Sequence, residues 1–234
     1  MVRLLCTASS EELTALLTPI KTEFALQEQQ VLAVTPTLYV LSTGIGPINA
    51  SWGLGQALAT LNAQGIQVEQ VLVAGLAGAF DLDRNPLLTF CQVTEEIWPE
   101  YGLHDGVEVV AKAFKYPQWA TSPQGPIYDR VQLADLSTFK LKDKILQNFQ
   151  PEKSLSVAGV SASFARTRFL WDNYHAALEN MEGFALAYGC LRAGIQCVEL
   201  RCISNKIGPR KIDEKDFPGA LARLAELLPT LNLI

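Results

Sequence analysis

Residues 180–210 read NMEGFALAYGCLRAGIQCVELRCISNKIGPR. Met181 to Ala193 is an apolar run of helical length that opens on the polar pair Asn180 and Glu182. Gln196 to Ile203 is a second, shorter apolar run, predicted to be a buried strand, and it breaks off into Ser204-Asn205-Lys206-Ile207-Gly208-Pro209-Arg210. A helix leading into a strand that ends in polar residues is the repeating unit of a layered α/β fold, in which ligands collect at the strand ends.

The same alternation runs back toward the N-terminus. Val2 to Cys6 is predicted to be a strand, and Leu13, Leu16, Leu17 and Ile20 mark the apolar face of a helix after it. Strand-like runs follow at Gln30 to Val34 and Leu38 to Ser42. The loop Thr43 to Pro47 contains Gly44 and Gly46 and leads into a helix with Ile48, Trp52, Gly55, Leu58 and Ala59 on one face. Gln70 to Ala74 is a buried strand ending in a small-residue loop, Gly75 to Ala79, which includes Ala77 and Gly78. Phe90 to Trp98 and Leu155 to Val160 are further strands, and Leu141 to Phe149 is a helix. Leu221, Leu224, Ala225 and Leu228 mark a last helix, and the proline- and glycine-rich Tyr101 to Asp135 is expected to be irregular. No segment reads as a linker, so residues 1–234 are expected to form one α/β domain with a parallel or mixed sheet.

Bulk composition narrows the partners. A formal net charge of −5 argues against nucleic acid or an anionic membrane surface, which attract basic patches. The longest uncharged apolar stretch, Val71 to Phe80, is half of the roughly 20 residues a membrane helix needs. The N-terminus turns polar at Thr7, too early for a secretory leader, so a cytoplasmic location is expected. Cys6, Cys91, Cys190, Cys197 and Cys202 form no CxxC pair and mostly sit in apolar runs, which predicts buried free thiols. His104 and His175 lie far apart without ligand spacing; neither a metal nor a cofactor is expected.

Three polar features are candidates for chemistry, and each has a plainer role available. Glu182 can accept two hydrogen bonds from vicinal hydroxyls, the way a carboxylate grips a ribose, or it can favour the positive end of a helix capped by Asn180. Asn205 offers a donor and an acceptor to the N7 and O6 edge of a 6-oxopurine, or it can be a turn residue at a strand end. Glu12 can activate water as a general base, or it can close the Ser9-Ser10-Glu11-Glu12 capping box. The Gly44-Ile45-Gly46 loop has neither the Lys-Ser/Thr of a triphosphate loop nor the spacing of a dinucleotide site.

In their joint order these motifs resemble the purine nucleoside phosphorylase and nucleosidase superfamily, which includes the 5'-methylthioadenosine/S-adenosylhomocysteine nucleosidases. The resemblance spans nearly the whole chain, and its specific part is Met181-Glu182 followed, one helix and one strand later, by Ser204-Asn205. Within that superfamily, Ser204 to Arg210 is most similar to the futalosine hydrolases of the alternative menaquinone pathway. The resemblance implies a three-layer α/β/α sandwich with a central mixed sheet and a homo-oligomer, dimer or larger. It implies hydrolysis of the N-glycosidic bond of a purine nucleoside, with Glu182 on the ribose hydroxyls, Met181 beneath the sugar, Glu12 activating water, Asn205 at the base and Phe164 packing on the purine. Gly46, Ala77, Gly78 and Ser204 fall in the loops that would surround the substrate.

Two departures from the pattern matter. Asn205 stands where the methylthioadenosine enzymes carry an acid that protonates N7, which favours hypoxanthine, the base of futalosine, over adenine. Lys211 and Ile212 precede Asp213 where an acid is expected sooner. Arg166, Arg168 and Arg210 are candidates for futalosine's benzoate, or ordinary surface residues. Phosphorolysis needs cations near the glycine loops, yet Arg3 and Lys21 are the only ones before Ala79, which favours water. A nucleoside phosphorylase, a methylthioadenosine nucleosidase and a non-catalytic nucleoside sensor are the alternatives.

Overall fold

Successive residues of β1 (Arg3–Thr7) bury on opposite sides of a sheet: Leu4 and Cys6 join one apolar cluster and Leu5 another, the two-residue period of a strand covered on both faces. In this computed structural model, residues 1–20, 24–106, 108–209, 211 and 214–234 are described. After β1 come α1 (Ser10–Leu17), β2 (Leu32–Thr35), β3 (Leu38–Ser42), α2 (Pro47–Ala63) and β4 (Gln70–Ala79). The middle of the chain carries β5 (Phe90–Ile97), the short strands β6 (Leu103–His104), β7 (Val109–Val110) and β8 (Arg130–Gln132), and the single turn α3 (Asp143–Leu146). The remainder is β9 (Phe149–Ser156), α4 (Phe164–Tyr174), β10 (Leu178–Asn180), α5 (Gly183–Ala193), β11 (Gln196–Lys206), α6 (Phe217–Leu224) and α7 (Leu227–Thr230).

Among the described residues nine strands form one mixed sheet in the order β10-β9-β5-β11-β4-β1-β3-β2, with β8 paired onto β5. Helices α2 and α5 cover one face through Leu54, Leu61, Phe184 and Leu186, and α1, α6 and α7 cover the other through Leu13, Leu16, Leu224 and Leu228. The expected α/β class with a central mixed sheet between helices is therefore what the chain adopts. The sheet is not open, however. β10 pairs with β9 on one side and antiparallel with β4 on the other, closing β4, β11, β5, β9 and β10 into a ring.

Several local expectations are corrected. Gly75 to Ala79 is not a loop but the last half of β4, because β11 pairs with it as far as Lys206. The helix expected over Leu141 to Phe149 shrinks to one turn, and β9 starts at Phe149, since Phe149, Ser154 and Leu155 bury against β5 and β10. α4 and β10 were not anticipated: α4 buries only Leu170 and so lacks an apolar stripe, and three residues of β10 are too few to show a period. All five cysteines are free and buried, as composition predicted. Among the described residues no helix is long and apolar enough to cross a membrane.

Candidate active site

The ladder between β1 and β4 stops at Cys6 and Val73, while β4 continues to Ala79. Between that point and the pairing with β10 at Gly78 and Ala79 the backbone of β4 has an open side, and the N–H of Leu76 donates instead to Oε1 of Glu12 at 2.8 Å. The other oxygen of Glu12 accepts from the N–H groups of Ala8 and Ser9, at 3.0 and 3.1 Å. The capping box is present as well, with the Ser9 side chain accepting from the Glu12 N–H at 3.2 Å. The cap therefore aims the carboxylate, and Glu12 lines a cavity of about 270 Å³ between β1, β4, β10 and β11.

Glu182 enters the same cavity from the start of α5. Its Oε1 accepts the N–H of Gly46 at 2.9 Å, so the glycine loop holds the carboxylate. Gly46 does so at φ 92, a conformation that favours glycine, and Pro47 starts α2 directly after it. Asn180 accepts the N–H groups of Glu182 and Gly183 on its Oδ1, at 2.9 and 2.7 Å, but the N-cap of α5 is Glu182 and not Asn180 as expected. Burial raises the Glu182 carboxyl above the usual carboxylate range, and the Arg201 guanidinium, 3.8 Å away, opposes that rise.

Asn205 reaches the cavity through an irregularity in the ladder. Ile203 pairs with Ala77 and Asn205 with Gly78, so Ser204 is an extra residue in β11, a bulge that re-aims the side chains around it. Ser204 Oγ donates to Asn205 Oδ1 at 3.0 Å and Asn205 Nδ2 to the Lys206 carbonyl at 2.9 Å.

Of the residues singled out from the sequence, Glu12, Ala77, Gly78, Met181, Glu182, Ser204 and Asn205 all line this cavity. Gly46 acts on it through Glu182. Phe164 does not line it: the ring is 72% exposed in a groove with Phe80 and Trp171, and Val160 and Ser161 form that part of the wall. Arg166 and Arg168 pair with Glu100 and Asp172 outside the cavity. Arg210, Ile212 and Asp213 lie outside the described residues.

Beneath the cavity sits a group that sequence reading left without a role. Arg201 is 1% exposed, donates from Nε to Glu199 Oε1 at 2.7 Å, and donates from Nη1 to the Leu76 carbonyl at 3.2 Å. A Cβ on Gly75 would lie 2.7 Å from Glu12 and 3.2 Å from Arg201, so a side chain there would crowd both groups. Burial pulls the guanidinium down, but Glu199, Glu182, Glu12 and Glu96 outweigh it and hold Arg201 above the ordinary arginine range.

One cation stands among four carboxylates, and the surroundings of Glu96 shift it toward its protonated form. Burial pushes its carboxyl well above the usual range, and Glu199 adds to the rise. Ser156 Oγ lies 2.6 Å from one of its oxygens, and Asn180 Nδ2 donates to the other at 2.7 Å. Because the folded value is raised, the stability from this group is complete below the ordinary carboxylate value of 4.5 and is lost as pH rises through the raised one. Glu96→Gln is neutral at every pH and removes that loss. Its Tm is expected to exceed the parent's by more at pH 8 than at pH 5, at about 2–4 °C per kcal/mol for a chain of this size. Parallel melting curves across pH would show that Glu96 titrates alike in the folded and unfolded chains.

The sequence pattern of the phosphorylase superfamily matches residues 3–231. The chain belongs to that superfamily. It is 32% identical over 192 residues, 82% of this chain and 79% of the relative, to a futalosine hydrolase of Thermus thermophilus. It is 34% identical over 83 residues, about a third of each chain, to a futalosine hydrolase of Streptomyces coelicolor. Its fold matches the 5'-methylthioadenosine/S-adenosylhomocysteine nucleosidase of Helicobacter pylori with a TM-score of 0.75 at 20% identity, over 99% of this chain and 98% of that one. The futalosine hydrolase of Helicobacter pylori matches with a TM-score of 0.73 at 19% identity, over 99% and 97% of the two chains.

For a member of the phosphorylase superfamily, the cation content of the cavity bears on the nucleophile. Among the described residues no lysine or arginine lines it. Arg3, noted from the sequence, stacks on Phe139 at 4.8 Å instead, and Lys21 lies outside the described residues. Glu96, Glu199 and Arg201 went unassigned in the sequence, although charged residues inside the apolar runs Phe90 to Trp98 and Gln196 to Ile203 were a visible sign of buried ion pairing.

Proposed function

We propose that the protein is a purine nucleosidase that hydrolyses the N-glycosidic bond of futalosine and releases hypoxanthine. The reading rests above all on Glu12 and Glu182 facing one cavity, with Arg201 3.8 Å from Glu182, together with the relatedness to futalosine hydrolases. Glu182 accepts the ribose 2'- and 3'-hydroxyls, and Met181 packs beneath the sugar. The C1'–N9 bond breaks early and its electron pair leaves with the base, which Asn205 meets at the N7 and O6 edge. Water adds to the electron-poor C1' and passes a proton to Glu12. A phosphate nucleophile would bring charge into a cavity whose described walls carry carboxylates and no cation, which favours water. A mere sensor of nucleosides has no use for a base as closely aimed as Glu12.

Chromatographic product analysis with futalosine, inosine and methylthioadenosine, each with and without phosphate, tests the reading. Free hypoxanthine from futalosine without phosphate is the expected result. A requirement for phosphate would make the protein a phosphorylase, adenine from methylthioadenosine would remove Asn205 from base selection, and no cleavage at all would leave a binding protein.

The proposal includes a homo-oligomer. Ile48 and Trp52 on α2 are 83% and 63% exposed and continue from Ile45, which lines the cavity, so a second copy on this face would cover an apolar stripe and close the rim. Light scattering is expected to give at least twice the 25.6 kDa chain mass, and Trp52→Glu is expected to give a single chain. A single-chain mass for the parent would end that part of the proposal.

A further inference from the structure

Glu182 opens α5, and the hydrogen bonds that hold this helix start lead back to a group outside the cavity. The first N–H groups of a helix have no partner within it. Here Asn180 Oδ1 accepts those of Glu182 and Gly183, and Ser156 Oγ accepts that of Phe184 at 2.6 Å. Both acceptors are tied in turn to one carboxyl. Asn180 Nδ2 donates to Glu96 Oε1 at 2.7 Å, and Ser156 Oγ shares a hydrogen bond of 2.6 Å with Glu96 Oε2.

Glu96 is fully buried and takes no part in the cavity wall, which Asn180 and Glu182 both line. Any effect it has on a ligand passes through those neighbours. Glu96, Ser156 and Asn180 stand on β5, β9 and β10, three adjacent strands of the closed ring, so one side chain spans all three. Gly183 leaves room for it: a Cβ there would collide with Glu96 Oε1 and lie 2.6 Å from Glu199 Oε1. The far end of the Glu182 side chain rests on the Gly46 N–H at 2.9 Å. Gly46 therefore sets where the carboxylate ends, and the bonds from Glu96 set where its side chain begins.

We propose that Glu96 is a positioning residue: through Asn180 and Ser156 it fixes the first turn of α5, and with it the place from which Glu182 reaches the ribose hydroxyls; this rests on the nucleosidase reading above. Hydrogen bonds weaken steeply with distance and angle, and a misplacement of about 1 Å costs up to about 10²-fold in rate. The role depends on a pattern of donors and acceptors. One end of the side chain must accept from Asn180, and the other must meet a hydroxyl that can donate or accept. Glutamine satisfies both, with its oxygen toward Asn180 and its NH2 toward Ser156, whose hydroxyl then turns to Asn180 Oδ1 at 3.4 Å. Methionine, of similar length, satisfies neither.

The test compares kcat/KM for futalosine with that for its 2'-deoxy analogue, in the parent and in Glu96→Met, Glu96→Gln and Ser156→Ala. Loss of folded protein lowers both values alike, whereas a displaced Glu182 lowers only the one that uses the 2'-hydroxyl. The ratio is expected to fall by about tenfold or more in Glu96→Met and by about threefold in Ser156→Ala. It is expected to stay within about twofold of the parent in Glu96→Gln. Hydrogen exchange at the amides of Glu182, Gly183 and Phe184 is expected to quicken by about tenfold in Glu96→Met, while the amides of β1 keep the parent's protection. An unchanged ratio in Glu96→Met overturns the proposal, and so does a fall in Glu96→Gln as large as in Glu96→Met. Should Glu96→Met not fold, Ser156→Ala loses a single hydroxyl and decides alone: an unchanged ratio there overturns the proposal. Amide exchange needs no substrate, which keeps the two readings apart. Cleavage of futalosine by the parent with the ratio and the exchange unchanged in the variants upholds the nucleosidase and removes Glu96. Quickened exchange in Glu96→Met, with no cleavage by the parent, removes the nucleosidase and leaves Glu96 as the group that holds Glu182 in place.

Discussion

Glu12→Gln is expected to lower turnover of futalosine by about 10²–10⁴-fold, the usual contribution of a general base, while substrate affinity stays within a few-fold of the parent. The carboxylate accepts from three backbone N–H groups, of Ala8, Ser9 and Leu76. A glutamine must turn its NH2 toward one set of these donors, so the substitution also costs about 1–3 kcal/mol of stability through an unmet hydrogen bond. Ser9→Ala separates the two effects. It removes the side-chain half of the capping box, costs about 0.5–2 kcal/mol, and leaves the backbone N–H that aims Glu12 in place. Melting curves and single-turnover rates on both variants then decide. If Glu12 is only a cap, the two substitutions fall on one line relating activity to stability. If Glu12 takes the proton, Glu12→Gln lies far below that line. Near-normal turnover in a folded Glu12→Gln protein would end its assignment as the base.

The two roles weighed for Glu12 in the sequence, cap and base, do not compete in the structure, because the box that caps α1 also aims the carboxylate into the cavity. That is why spacing alone left the choice open: a capping box specifies the backbone at a helix start, and only the end of β1, where β4 loses its neighbour, determines what the carboxylate faces. Glu182 and Asn205 were legible for a related reason. Each sits at the polar end of an apolar run, and such ends meet wherever a layered sheet brings its strands together. Phe164 was misplaced because aromatic identity does not reveal direction. It begins α4, a helix with one buried residue, and nothing in its pattern says which way the first turn points. β10 carried even less signal, since a three-residue strand shows no period. The closure of the sheet through β10 was invisible for the same reason.

Arg201→Met is expected to destabilise the protein by about 3–5 kcal/mol at neutral pH, the usual effect of removing one partner from a buried ion cluster. Methionine fills much of the arginine stem's volume, so the loss comes chiefly from charge. Glu199 loses its 2.7 Å partner, and the carboxylates of Glu182 and Glu96 lose the cation that opposes their burial. The folded values of those two groups then rise further above their unfolded ones. Stability in the variant is therefore greatest below the ordinary carboxylate range and falls more steeply than in the parent as pH rises through the elevated values. Urea midpoints at pH 5 and pH 8 should show a wide gap between parent and variant at pH 8 and a narrow one at pH 5. A gap that does not change with pH would mean that the guanidinium acts by packing and not by charge. Activity separates structure from chemistry at the lower pH. A variant that refolds at pH 5 still lacks the cation that opposes the burial of Glu182, so its hold on the ribose hydroxyls stays weakened, and recovered folding without recovered turnover is the expected pair of results.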